Sequence, residues 1–95
     1  MAVLLRFRVA GQTLASYDRI VGDICEAERL RKAPGFIVQA VYGTSDGVEA
    51  AEIWESSELW KAWDQGFRPE VDQGLEAEHL KLEDEIVKIH NLVLG

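Results

Sequence analysis

The stretch from Glu52 to Gly66 constrains the fold of this chain more than any other. Ile53 and Trp54 close a run with the alternation of a strand, and a helical pattern begins at Ser56 or Ser57. The chain's three tryptophans, at positions 54, 60 and 63, all lie here. A strand must therefore pass directly into a helix with large aromatic side chains on both sides of the joint. We expect any pocket of this protein to be built around that joint.

A strand and a helix are predicted at the start of the chain. Residues 2–9 alternate between apolar and polar positions, which is typical of a half-buried strand. Apolar residues then recur at helical spacing from Leu14 to Arg31, and Thr13 can cap this helix. The pattern places Glu26 on the outward face and makes Cys25 a buried structural thiol. Gly22, inside the helix, indicates close packing against a neighbour.

The middle of the chain predicts a hairpin. Phe36 to Tyr42 form a strand with one face made of positions 36, 38, 40 and 42. Residues 43–47 contain the Asp-Gly pair of a tight turn. Val48 to Trp54 form the next strand, which is therefore antiparallel to the one before it.

The end of the chain has weaker patterns. Gly66 and Pro69 are expected to end the second helix. The acidic segment Glu70 to Glu85 is interpreted as a short helical turn followed by a solvated loop. Ile86 to Leu94 are predicted as the last strand.

The element order predicts an α+β fold of the ferredoxin-like type, β-α-β-β-α-β, in one domain spanning residues 1–95. Right-handed crossovers then require an antiparallel sheet of order 4-1-3-2, with both helices on one face. The other face needs cover because it carries Leu4, Ile37, Val41 and Ile53, or their neighbours of opposite parity. We expect a homodimer that packs sheet against sheet, with Arg6 or Arg8 and Glu49 facing the partner.

The composition argues against several function classes. A net charge of −7 disfavours nucleic acid and anionic membrane surfaces, which reward clustered lysine and arginine. The cluster of Arg29, Arg31 and Lys32 suits the carbonyl end of the first helix better than a phosphate site. One cysteine allows no internal disulfide, which fits the cytoplasm. No apolar run reaches membrane-spanning length, and no residue spacing predicts a metal site.

Several motifs resemble one family, the antibiotic biosynthesis monooxygenase superfamily of dimeric α+β barrels. The strand-to-helix joint with Trp54-Glu55-Ser56 is similar to the joint of that family, and so is Pro34-Gly35-Phe36 before the second strand. The similarity of the joint continues through Leu59, Trp60, Ala62 and Trp63. Further similarity, to an actinobacterial branch, is carried by Gly11, Tyr17, Asp18, Gly47, His90 and Asn91. The resemblance covers nearly the whole chain. It implies the fold more firmly than an activity, because the superfamily includes oxygenases, haem-degrading enzymes and members without known activity.

The haem-degrading branch of this family is a poor match. Trp63 stands where that branch has a tryptophan, but the first strand has no Asn, Leu5 occupying roughly the matching place. Asp72 stands near the position of the family's later histidine. Without an axial ligand, haem degradation is disfavoured, and we expect no cofactor.

The resemblance to the cofactor-independent oxygenases implies an enclosed aromatic pocket for a flat, reduced phenolic or polyketide-like metabolite. The candidate catalytic residues are His90, Tyr17 and Trp63. The candidate ligand-binding residues are Trp54, Trp60, Phe67, Tyr42 and Asn91. Each aromatic residue also fits an ordinary core position, and His90 fits a structural role. Two hypotheses therefore stay open: a monooxygenase-like enzyme, and a binding or accessory domain without chemistry of its own.

Overall fold

The computed structural model describes residues 1–95. Its elements, in chain order, are β1 (Val3–Ala10), α1 (Leu14–Asp23), α2 (Glu26–Lys32), β2 (Phe36–Thr44), β3 (Gly47–Trp54), α3 (Ser57–Glu76) and β4 (Glu83–Lys88). The four strands form one antiparallel sheet of order β2-β3-β1-β4. The predicted ferredoxin-like topology is therefore confirmed, and the predicted first helix is divided into two.

The helices lie on one face of the sheet, where the core forms. Val3, Leu5 and Trp54 from the sheet are buried against Leu30 and Trp60 from the helices. A smaller cluster of Val9, Ile20 and Leu75 lies towards the other end of the sheet. The two helix caps predicted from sequence are present, because the hydroxyl of Thr13 accepts from the Ser16 N–H and that of Ser56 from the Leu59 N–H.

The predicted helix from Leu14 to Arg31 is wrong as a single element. Cys25 has a left-handed backbone, with φ 54°, and ends the first helical segment. The backbone N–H groups of Ile24 and Cys25 both donate to the Gly22 carbonyl, which closes the turn. Cys25 is exposed rather than buried, and a Cβ at Gly22 would meet nothing within 4 Å, so the predicted close packing there is wrong. The break rotates the second helical segment relative to the first, so that Glu26 is buried and not on the outward face.

Helix α3 is also longer than predicted, since neither Gly66 nor Pro69 ends it. Proline removes one hydrogen bond of the helix. The apolar stripe nevertheless continues past it at a spacing of four residues, through Phe67, Val71 and Leu75. Burial of that stripe against the sheet stabilises the helix more than the missing bond destabilises it. The segment predicted as a short turn and loop is therefore half helix, up to Glu76.

A bulge in β2 corrects the predicted faces of that strand. The register shifts between Phe36 and Val38, so Phe36 points towards the core with Gln39 and Val41, not with Val38 and Tyr42. Two of the side-chain rows on the sheet face without helices differ in character. One is apolar, with Val38, Ile53, Leu4 and Val87 across the four strands, and the other is polar, with Tyr42, Glu49, Arg8 and Glu83.

Strand β4 begins at Glu83, inside the predicted loop, and ends at Lys88, earlier than predicted, because its neighbour ends. Lys88 pairs with Val3, and the Ile89 N–H donates to the Ala2 carbonyl, after which β1 offers no further partner. Residues 89–95 have no regular secondary structure. None of the three helices is long and apolar enough to cross a membrane.

Candidate functional site

A cavity lies between the sheet and the helices. Its volume is about 90 Å³, and residues of α1, α2, α3, β1, β2 and β3 all contribute to its lining. This is small beside the roughly 300–1000 Å³ of pockets that enclose a drug-sized ligand. The cavity as it stands accommodates a small molecule or one end of a larger one.

Four of the eight residues predicted for the site line this cavity. They are Tyr17 on α1 and Trp60, Trp63 and Phe67 on α3. The rings of Trp63 and Phe67 stack, with centroids 4.5 Å apart and planes 24° apart. The guanidinium carbon of Arg29 lies 4.7 Å from the centre of the Phe67 ring, and a 2.7 Å bond to Glu70 holds it there. Arg29 and Glu70 therefore stabilise this aromatic wall.

The other four predicted residues lie elsewhere. Trp54 is fully buried in the core, where its ring meets Phe36 edge-on and Trp63 at 6.1 Å. Tyr42 is on the sheet face without helices, and its hydroxyl donates to Glu49. His90 and Asn91 are exposed beyond the end of β4. The structure does not bring these four residues to the cavity.

The polar end of the cavity is a hydrogen-bonded network that the sequence interpretation missed. Gln39 donates from one nitrogen to two buried carboxylates, at 2.8 Å to Glu26 Oε1 and at 2.9 Å to Glu52 Oε2. The Tyr17 hydroxyl donates to the same Glu26 oxygen at 3.1 Å. The Trp54 indole N–H donates to Glu52 Oε1 at 2.9 Å. Glu26 and Glu52 are 9% and 6% exposed, so both carboxylates depend on these donors.

Burial shifts the titration of two groups in this network. It raises the pKa of the Glu52 carboxyl, and the hydrogen bonds from Trp54 and Gln39 only partly oppose the rise. Burial, together with the neighbouring Glu26 carboxylate, also raises the pKa of the Tyr17 phenol. Tyr17 therefore stays protonated near neutral pH and acts as a hydrogen-bond donor. The raised pKa makes the Glu52 carboxylate a better general base than the carboxylate of an exposed glutamate.

A second charged group lies on the cavity lining beside α3. Arg68 bonds to Asp64 at 3.2 Å and also to Asp84 of β4, so it ties the helix to the edge strand. Asp64 and Arg68 both line the cavity. Burial raises the pKa of Asp64, and Arg68 opposes that rise. This ion pair holds the β4 side of the fold against the helix.

The alternation of side chains along β3 could have predicted from the sequence that Glu52 faces the helices. It alternates with Val48, Ala50 and Trp54 on the face of β3 that packs on the helices. A carboxylate on such a face is rarely buried without partners. Glu26 and Gln39 had no comparable signal, because their orientation depends on the turn at Cys25 and the bulge in β2.

Comparison with solved structures gives the fold. SnoaB, a cofactor-independent oxygenase from Streptomyces nogalater, matches in a mutant form with a TM-score of 0.69 and 11% identity over 99% of this chain and 97% of that one. The ActVA-Orf6 monooxygenase of Streptomyces coelicolor, in complex with nanaomycin D, matches with a TM-score of 0.61 and 19% identity over 99% and 91%. A dimeric ferredoxin-like protein from an uncultured marine organism matches with a TM-score of 0.67 and 13% identity over the full length of both chains.

These likenesses confirm the predicted fold. At such low identities they do not assign an activity. No protein-family model matches the sequence. No curated protein matches it either. The structure contains no group of three or more His, Cys, Asp and Glu side chains placed to hold a metal ion.

Proposed function

We propose that this protein is a cofactor-independent monooxygenase that binds a small aromatic metabolite in the cavity. The observation that carries the proposal is the position of Glu52, a buried carboxylate with a raised pKa at the polar end of an aromatic-walled cavity. Trp60, Trp63 and Phe67 offer flat apolar surface for a ring. The fold is that of proteins described as oxygenases, which supports the same function.

The chemistry requires one positioned general base and few other protein groups. A substrate with a CH₂ group activated by phenolic rings loses a proton to Glu52, and the carbanion supplies electrons to O₂. A C–O bond forms and gives a hydroperoxide. Loss of water then breaks the O–O bond and the second C–H bond, and a ketone remains. One CH₂ group and one O₂ give one C=O and one H₂O, so all four electrons come from the substrate.

The other residues of the site bind the substrate and keep the base available. Gln39 and Trp54 hold the Glu52 carboxylate in place, and each of its oxygens has a further lone pair for a substrate proton. Tyr17 stays protonated and keeps Glu26 in position. The aromatic wall excludes water from the reacting carbon. The proposal keeps Trp63 and Tyr17 at the site as wall and positioning residue, not in the catalytic roles predicted for them, and uses Glu52 as base in place of His90.

We also propose a homodimer that packs sheet against sheet. The face without helices exposes Val38 and Val87, at 46% and 37%, in the row that also contains Leu4 and Ile53. The row of Arg8, Glu49 and Glu83 on the same face has both signs of charge, which suits a two-fold contact. A related fold is described as dimeric. The unpaired, exposed Cys25 supports a reducing, cytoplasmic location.

Oxygen consumption by the purified protein with anthrone-type substrates tests the function. We expect turnover with one oxygen atom from ¹⁸O₂ in the product, a loss of about 100-fold or more in kcat for Glu52→Gln, and wild-type turnover for Glu28→Gln, which changes an exposed acid. His90→Ala tests the other predicted base. Loss of turnover in His90→Ala with full activity in Glu52→Gln would contradict the assignment. A tight complex without any oxygen consumption would instead identify a binding or accessory domain.

A further inference from the structure

We infer that Glu26 determines the specificity of the cavity and that the ligand must present a hydrogen-bond donor, a hydroxyl or an amino group, to its Oε2 atom. The inference rests on the proposed binding of an aromatic ligand in this cavity. It goes beyond that proposal because it names the ligand group that the polar end accepts and the groups that it rejects.

The donors of Tyr17, Gln39 and Trp54 are already used inside the network. The Tyr17 hydroxyl and one Gln39 N–H go to Glu26 Oε1, the other Gln39 N–H goes to Glu52 Oε2, and the Trp54 N–H goes to Glu52 Oε1. A neutral phenol has one donor, an indole one, and an amide nitrogen two. No N–H or O–H of these three side chains is left for a ligand.

The orientation of the Gln39 amide is determined by its neighbours. Its nitrogen lies within 3 Å of two carboxylate oxygens, which only accept hydrogen bonds when ionised. In the reverse orientation, the Gln39 amide oxygen would face both carboxylate oxygens. Three acceptors would then meet with no donor among them. The amide therefore bridges the acids, and its own oxygen remains as an acceptor.

What is left free at the polar end is a set of acceptors. Glu26 Oε2 receives no hydrogen bond from the chain, whereas Oε1 of the same carboxylate receives two. No buried polar side-chain atom is without a partner, so Oε2 is not sealed within the protein. Since Glu26 lines the cavity, this accessible oxygen is the atom that we assign to the ligand. Arg8 and Arg68, which line other parts of the cavity, are paired with Glu49 and with Asp64 and Asp84.

An acceptor-only end discriminates between ligands of the same shape. A phenol or an aromatic amine gives Glu26 Oε2 a hydrogen bond, whereas an ether or a carbonyl places a lone pair against it and leaves the carboxylate unpaired. A phenolic hydroxyl converted to a quinone carbonyl by oxidation would lose its donor in the same way. Aromatic amines, which offer N–H in place of O–H, should bind as well as phenols do.

Calorimetric titration with matched one-ring probes tests the inference under anaerobic conditions. The probes are 4-ethylphenol, 4-ethylaniline and 4-ethylanisole, whose benzylic CH₂ groups cannot be oxygenated in the absence of O₂. We expect the phenol and the aniline to bind at least about ten-fold more tightly than the ether. In Glu26→Gln, an NH₂ donor replaces Oε2, so we expect the difference between phenol and ether to shrink to about two- to three-fold.

Two further variants complete the test. Glu28→Gln makes the same change at an exposed position on α2 and should keep the full preference. Glu26→Asp withdraws the carboxylate from the cavity by one CH₂ group and should reduce the preference for the phenol over the ether, which preserves the test if Glu26→Gln does not fold. Equal binding of the phenol and the ether by the wild type, or no binding of any probe, would overturn the inference. The proposed function is judged separately by oxygen consumption, so either can fail alone.

Discussion

The indole N–H of Trp54 donates a 2.9 Å hydrogen bond to Oε1 of Glu52, two residues earlier on β3. Residues two apart on a strand share a face, so the bond follows directly from the alternation of the strand. It joins the fully buried aromatic side chain at the strand-to-helix joint to the acid at the polar end of the cavity. The joint therefore serves the core and the candidate site at once.

Trp54→Phe should raise the pKa of Glu52 further, because the indole hydrogen bond favours the charged carboxylate. We expect the variant to be about 2–4 kcal/mol less stable, from the lost bond and the smaller ring. Carboxyl ¹³C NMR titration measures the first effect and urea denaturation the second. Trp60→Phe is the matched control, since it also truncates a buried indole but has no bond to Glu52. An unchanged Glu52 titration in Trp54→Phe would contradict the role of this bond.

Glu52→Gln should flatten the dependence of stability on pH. The folded-state pKa of Glu52 is raised, so its contribution to stability is full below the unfolded-state pKa of about 4.3 and is lost as the pH rises through the folded-state pKa. Relative to the variant, the wild type should therefore lose stability as the pH rises from about 4 through the folded-state pKa of Glu52. The loss should be about 1.4 kcal/mol for every pH unit that separates the folded-state pKa from the unfolded-state pKa. Urea denaturation across this range measures the difference.

The control for that experiment is Glu28→Gln, whose stability curve should run parallel to that of the wild type. Glu58, Glu70 and Glu78 have lowered pKa values, so their contributions to stability change with pH in the opposite direction. All three proteins contain these acids, so the contributions cancel in the difference. A constant gap between wild type and Glu52→Gln at every pH would rule out a raised pKa.

Gln39→Leu removes the amide that bridges the two buried carboxylates. We expect a loss of about 3 kcal/mol or more at pH 7, because Glu26 and Glu52 each lose a donor and then face one another without one between them. The loss should shrink at pH 4, where protonation of Glu52 relieves the repulsion. Denaturation at both pH values measures this, with Gln65→Leu on the exposed side of α3 as control. A loss of the same size at both pH values would show that packing alone is at stake.

The sequence predicted the parts of the fold that depend on local patterns. The alternation of β1 and β3, the caps at Thr13 and Ser56 and the turn before Gly47 are properties of a few adjacent residues. The errors arise where tertiary contacts override a local signal. Cys25 adopts a left-handed backbone without being glycine, and Pro69 is carried inside α3 by the apolar stripe on either side of it.

The same distinction divides the candidate site. Its aromatic half was predicted, because Trp60, Trp63 and Phe67 lie on one helical stripe and Tyr17 on another. Its acidic half was not, because Glu26 and Gln39 reach the cavity only after a broken helix and a bulged strand have turned them inward. His90 was predicted from its place on a strand, and it lies beyond the point where that strand ends.

Two glycines should respond to alanine in opposite directions. At Gly47, where φ is 154°, a Cβ would clash with the Val9 carbonyl oxygen and approach the Gly11 nitrogen at 2.9 Å. Gly47→Ala should therefore destabilise the protein by more than about 1 kcal/mol. A Cβ at Gly66 on α3 would meet nothing within 4 Å, so Gly66→Ala should stabilise by about 0.5–1 kcal/mol. Thermal melts of both variants measure this, and a stabilising Gly47→Ala would contradict the tight contact with β1.

Val38→Glu should separate the proposed dimer without unfolding the chain. Val38 is 46% exposed in the single chain, so a glutamate there reaches water, whereas two-fold packing of the sheets would bury it next to Ile53 and Leu4. An unpaired charge buried in this row would cost several kcal/mol, enough to favour the monomer at micromolar concentration. Sedimentation equilibrium measures the mass, and circular dichroism checks the fold. Val93→Glu, on the exposed C-terminal segment, is the matched control and should remain dimeric. A wild-type monomer, or a dimer that survives Val38→Glu, would rule out this face as the interface.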